Sequence, residues 1–150
     1  LVRNDKGDLS GTTAKSWPAW KLAGRVGVSS IFGAGFFVDN DVGAGGATGR
    51  GEENLKVSGG HTIVEMMRKG MSPTDACLEA LRRVARNYFG DKKRLGKFDL
   101  VFYALNKDGQ HGSASLWGRF SDGRVPTYAV HDGTAARLAE SAALYQRNVG

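Results

Sequence analysis

The chain has 150 residues, 41% hydrophobic and 24% charged, with a formal net charge of +6 and a pI near 9.7. That is the length of one domain, with apolar content enough for a core and no run near the ~18 apolar residues that a membrane helix needs. Its one cysteine, Cys77, excludes an internal disulfide.

Leu1 to Arg3 and Leu9 to Thr13 read as strands around the turn Asn4-Asp5-Lys6-Gly7-Asp8. The chain enters this hairpin without an initiator Met or a signal peptide, as expected of a processed or truncated chain. Phe36 to Asn40 reads as a short strand and Asp41-Val42-Gly43 as a turn. Ala44 to Thr48 has little β-propensity, and such small-residue sequence is usually packed against something close or lines a site that backbone must approach. One helix is predicted from Glu52 to Lys69, ended by Gly70. Its middle, Val57-Ser58-Gly59-Gly60, is poor helix sequence and points to close packing on another element. A second helix starts at Ser72-Pro73 with Asp75 completing a capping box, and Cys77, Leu81, Val84 and Tyr88 form its apolar stripe.

Arg82, Arg83, Arg86, Lys92, Lys93, Arg94 and Lys97 gather much of the positive charge. No aromatic interleaving or nucleic-acid motif accompanies them, so they read as a solvated helix face and the loop beyond it rather than a phosphate-binding patch. Strands from Phe98 to Asn106 and from His111 to Trp117 follow, joined at Lys107-Asp108-Gly109, with a last strand near Tyr128 to Val130. Strands, a helix pair and an antiparallel hairpin make an α+β layered domain over residues 1–150.

Two segments can carry chemistry. In Gly24-Arg25-Val26-Gly27, glycines on both sides let a turn present a guanidinium, whose flat fork matches a carboxylate. Thr48-Gly49 offers a hydroxyl and an unobstructed backbone N–H to a developing oxyanion, near a helix start. Each also has a plainer reading, as an exposed loop arginine and as a small-residue strand end. His61, His111 and His131 lack metal-ligand spacing, so no metal site is expected. There is no Gly-x-Ser-x-Gly and no phosphate-binding loop motif. Trp17, Trp20 and Trp117 read as core or edge packing.

Lys21-Leu22-Ala23-Gly24-Arg25-Val26-Gly27, Gly33-Ala34-Gly35, Val38-Asp39-Asn40 and Ala47-Thr48-Gly49-x-Gly51-Glu52 together resemble the β-subunit of the glycosylasparaginases. These are the aspartylglucosaminidase branch of the N-terminal-nucleophile asparaginases. Ala104-Leu105-Asn106-Lys107-x-Gly109 and Tyr128-Ala129-Val130-His131-Asp132 extend the resemblance over essentially the whole chain. It implies a four-layer αββα sandwich, of which this chain is the β-chain half. It implies a precursor that cuts itself before a threonine, whose hydroxyl then attacks with its own α-amine as base. It further implies hydrolysis of the side-chain amide of glycosylated asparagine to aspartate and a glycosylamine, without a cofactor. The implied partner is the α-chain of the same precursor, in an αβ heterodimer that pairs into a heterotetramer, with no nucleic-acid or membrane partner. A plain asparaginase or isoaspartyl peptidase is the neighbouring activity. Without a disulfide, a soluble protein of the bacterial cytoplasm or periplasm is expected rather than a lysosomal one.

By the same resemblance Arg25 takes the substrate α-carboxylate, Thr48 and Gly49 form the oxyanion hole, and Gly51 belongs to the substrate-binding set. Three positions depart from the family pattern. The Thr-[Ile/Val]-Gly-Met segment that carries the nucleophile belongs before Leu1 and is absent from the sequence. Lys15 stands where a threonine supports the nucleophile. Val28 stands where an aspartate pairs with the substrate α-ammonium. The 150 residues by themselves are therefore expected to be inactive, and the alternative is a non-catalytic homologue that keeps the fold. Losing an acid at 28 and gaining a cation at 15 also predicts that amine-free diacids bind better than aspartate.

Overall fold

The computed structural model describes residues 1–14 and 20–147. A short hairpin, β1 (Val2–Arg3) and β2 (Leu9–Ser10), opens the chain. The main sheet has five strands in the order β3 (Phe36–Asp39), β4 (Gly43–Gly49), β5 (Leu100–Asn106), β6 (His111–Trp117) and β9 (Ala142–Tyr145). All its pairings are antiparallel except that of β6 with β9. A separate hairpin, β7 (Thr127–His131) and β8 (Ala136–Glu140), links β6 to β9. Helices α1 (Gly51–Leu55), α2 (Gly59–Arg68), α3 (Pro73–Arg86) and α4 (Lys92–Leu95) lie between β4 and β5 in sequence. The fold is α+β, as the sequence predicts, and one face of the sheet is covered by α2 and α3.

Why α2 lies so close to the sheet follows from side-chain size. A Cβ at Gly43 would sit 2.6 Å from Met67 Cε, and one at Gly45 would sit 2.9 Å from the Gly60 carbonyl and 3.1 Å from Ile63 Cβ. A Cβ at Gly60 would meet the β3 backbone, 2.9 Å from Phe37 N. Bare backbone on β4 thus faces bare backbone on α2. Residues 44–48, poor in β-propensity, form a full central strand because neighbours on both edges supply the ladder. Ile63, Val64, Leu81, Val84, Leu100, Phe102 and Leu116 fill the core between sheet and helices and are buried.

The single helix predicted over 52–69 is two. It breaks at Lys56–Ser58, where Ser58 takes a left-handed conformation (φ +46°). Asn54, fully buried, bridges the break. Its amide donates to the Ala34 carbonyl (2.8 Å) and its Oδ1 accepts from Gly59 N–H (3.0 Å). A side-chain bracket therefore replaces the backbone bonds that a continuous helix would make.

The second helix begins as expected: Ser72 Oγ accepts from Asp75 N–H (3.1 Å) and donates to its carboxylate (2.7 Å). Cys77, Leu81 and Val84 are buried on its apolar stripe, and Tyr88 packs against the core from beyond its end. Helix α4 and strands β8 and β9 go beyond the sequence reading. Of the tryptophans, Trp117 is buried against Tyr145, Trp20 is 98% exposed rather than packed, and Trp17 lies outside the described residues.

The register puts Ala44, Gly46, Thr48, Val101, Tyr103, Ser113 and Ser115 on the sheet face turned away from α2 and α3. Tyr128 of β7 reaches this side, its ring 6.4 Å from that of Tyr103 and its hydroxyl 2.9 Å from His111 Nδ1. Thr48, at the end of β4, is exposed on it.

Candidate active site

Arg25 sits in the loop that leads to the 3₁₀ turn Val28–Ser30. Gly24 takes φ +81°, and Arg25 N–H closes a turn onto the Leu22 carbonyl (3.2 Å). Lys21 Nζ donates to the Arg25 carbonyl (3.1 Å), and Thr13 Oγ1 donates to the Ser29 carbonyl (2.7 Å). The loop is fixed to the sheet at Gly35, whose carbonyl accepts Ala47 N–H (3.1 Å). No larger residue fits there, since a Cβ at Gly35 would lie 2.3 Å from the Val28 carbonyl. The segment carrying Arg25 is thereby tied to β4, which ends in Thr48-Gly49.

At that strand end Gly49 takes φ +105°, and a Cβ on it would fall 2.3 Å from the Asp99 carbonyl. Arg50 N–H donates to the same carbonyl (2.9 Å), and α1 begins at the next residue. Thr48-Gly49 therefore forms a sharp strand-to-helix corner with the positive end of α1 beyond it. Across the corner Arg25 Nη2 meets Glu52 Oε1 at 3.1 Å, and Arg50 Nε meets Glu52 Oε2 at 3.3 Å. Its own backbone N–H, and then the charges of Arg50 and Arg25, hold the Glu52 carboxyl below its ordinary range. It is an anion at neutral pH.

Of the residues singled out in the sequence, the fold brings Arg25, Val28, Gly51 and the Thr48-Gly49 corner to one end of β4. Val28 is 6% exposed and packs on Gly51, where an added Cβ would lie 2.8 Å from Val28 Cγ1. Lys15 lies outside the described residues. His61 is exposed on α2, its ring 5.0 Å from that of Phe37. Among the described residues no group of three or more acids, histidines or cysteines is placed to hold a metal ion. No helix among them is long and apolar enough to cross a membrane.

In the sequence Glu52 is only the last letter of a motif, and nothing local announces a partner 27 positions earlier.

A family model described as asparaginase matches residues 1–112. The chain belongs to the asparaginase family. Among its relatives, the N(4)-(beta-N-acetylglucosaminyl)-L-asparaginase of Elizabethkingia miricola is 42% identical over 92% of the chain. The enzyme of that name from Rattus norvegicus is 31% identical over 85% of it. A protein of Arabidopsis thaliana named "Probable isoaspartyl peptidase/L-asparaginase 3" is 32% identical over 72%. The chain spans 39%, 33% and 28% of the lengths of these three relatives. The family is one of N-terminal-nucleophile hydrolases, and the similarity is to its glycosylasparaginase branch.

Proposed function

We propose that residues 1–150 are the β-chain half of a glycosylasparaginase-type amidohydrolase, which cleaves glycosylated asparagine to aspartate and a glycosylamine. One observation carries the reading: the loop holding Arg25 is bonded onto the strand-to-helix corner that presents Thr48 and Gly49. A carboxylate receptor and an oxyanion receptor on one corner suit a substrate whose scissile amide lies two carbons from its α-carbon. Arg25 would hold the α-carboxylate through its fork. Thr48 Oγ1–H and Gly49 N–H would stabilise the oxyanion formed when a threonine hydroxyl adds to the amide carbonyl. Collapse of that adduct expels the glycosylamine, and water then releases aspartate from the ester.

The nucleophile is not among these 150 residues, and by the family pattern it belongs ahead of Leu1. The exposed end of that sheet face, at Thr48, would be covered by an α-chain, completing the αββα sandwich and a heterotetramer of two αβ pairs. A soluble bacterial setting, cytoplasm or periplasm, suits the disulfide-free chain.

A second reading, a non-catalytic homologue, draws on Val28, which fills the acid's position with tightly packed hydrocarbon. The test is aspartate release from N-acetylglucosaminyl-asparagine by the assembled protein carrying this chain behind a Thr-Val-Gly-Met segment. Release that falls about 10²–10³-fold in Thr48→Ala supports the enzyme. No release from the extended, assembled protein favours the non-catalytic homologue.

A further inference from the structure

We propose that Glu52 receives the substrate's α-ammonium in this protein, taking over from the aspartate that the family pattern has at position 28. The inference rests on the reading of Arg25 as the α-carboxylate site. Val28 is buried, apolar and pressed on Gly51, so position 28 offers an ammonium nothing. The corner is otherwise rich in cations, with Lys21, Arg25 and Arg50 all on it. A further positive charge brought there without an acid would be repelled.

Among the described residues the acids near the corner are Glu52, Glu53 and Asp99. Glu53 is buried and holds Lys56 Nζ with both oxygens (2.8 and 3.0 Å). Asp99 accepts from Ser121 Oγ (3.0 Å), Ser121 N (3.2 Å) and Arg147 Nη2 (2.9 Å). Glu52 alone of the three touches Arg25, and its half-exposed side chain on the first turn of α1 has room to turn.

The geometry also makes Glu52 selective. With no ligand, its Oε1 sits on the Arg25 guanidinium, where an incoming α-carboxylate must bind. Once that carboxylate takes the guanidinium, two anions lie side by side. An α-amino acid resolves this, because its ammonium is one carbon from its carboxylate and falls between the two. A diacid without the amine leaves the repulsion standing. Glu52 therefore attracts the ammonium and penalises ligands that lack one. This reverses the order expected from positions 15 and 28 alone.

The probe pair is aspartate and methylsuccinate, in which a methyl group replaces the ammonium, titrated calorimetrically against the assembled protein. Aspartate is expected to bind at least about tenfold tighter. Glu52→Gln should weaken aspartate about tenfold, strengthen methylsuccinate and invert the order. Val28→Asp added to Glu52→Gln should restore the preference for aspartate. Methylsuccinate binding as tightly as aspartate in the unaltered protein overturns the proposal, as does an affinity ratio that Glu52→Gln leaves unchanged. Arg25→Ala separates the two levels. If it leaves both ligands bound, the carboxylate reading fails and the proposal with it. If it releases both while Glu52→Gln changes nothing, only the role of Glu52 falls.

Discussion

Alanine at position 51 would test how firmly Val28 is locked in place against α1. The new Cβ would lie 2.8 Å from Val28 Cγ1 and 3.1 Å from Val28 Cβ. Valine is stiff about χ1. Val28 also cannot retreat, because its carbonyl accepts Ile31 N–H (3.0 Å) and abuts the backbone at Gly35. Overpacking of this kind costs about 1–3 kcal/mol. Replacing glycine in a helix returns about 0.5–1 kcal/mol, so Gly51→Ala is expected to destabilise by roughly 0.5–2 kcal/mol. In a Val28→Ala background the 2.8 Å clash is gone and only the 3.1 Å contact remains, so the penalty should fall by about 1 kcal/mol. Urea unfolding of the four proteins of this cycle gives the coupling from midpoints at constant slope. An equal penalty in both backgrounds would refute the reasoning and mean that the 3₁₀ turn yields more readily than its hydrogen bonds imply.

Gly59→Ala should be worse, at about 3 kcal/mol or more, because its Cβ would fall 2.1 Å from Asn54 Oδ1 and 2.4 Å from the Phe102 ring; the urea midpoint reads it. Asn54→Ala should cost about 2–4 kcal/mol by orphaning the Ala34 carbonyl and the Gly59 N–H together, and a conservative Asn54→Gln that leaves the midpoint in place would count against the bracket. Cys77 is buried, and burial pushes its thiol well above the ordinary range, so a thiol reagent should label it only in the unfolded protein. Arg86 and then Arg82 hold the Glu79 carboxyl below its ordinary range. That stabilisation is present above the unfolded pKa of about 4.3 and is lost as pH falls through the lower folded value, so Glu79→Gln should flatten the acid limb of the stability profile. Trp20, Leu22, Val26 and Phe32 are exposed together along one loop region, so the chain by itself should bind a hydrophobic dye, and binding of the proposed α-chain should remove that signal.

Local chemistry was sufficient wherever a signal and its consequence were close in sequence. Ser72, Pro73 and Asp75 start α3 by satisfying the helix's own orphan N–H groups. The stripe of Cys77, Leu81 and Val84 is buried because a helix repeats every 3.6 residues whatever lies opposite. The glycine-flanked Arg25 and the Thr48-Gly49 pair were legible as candidate binding groups because their residue types limit what they can do.

Three things were decided only by the tertiary structure. Residues 44–48 became a central strand because β3 and β5 supply its ladder and α2 needs its bare backbone. The helix predicted over 52–69 broke because Asn54 could bond to the loop at Ala34, a partner twenty residues back that no helical pattern reveals. The Arg25–Glu52 pair joins a loop and a helix that the bond from Ala47 of β4 to Gly35 holds together. Each depends on a contact between segments far apart in the chain, and sequence pattern reports the preferences of a segment, not the neighbour that overrides them.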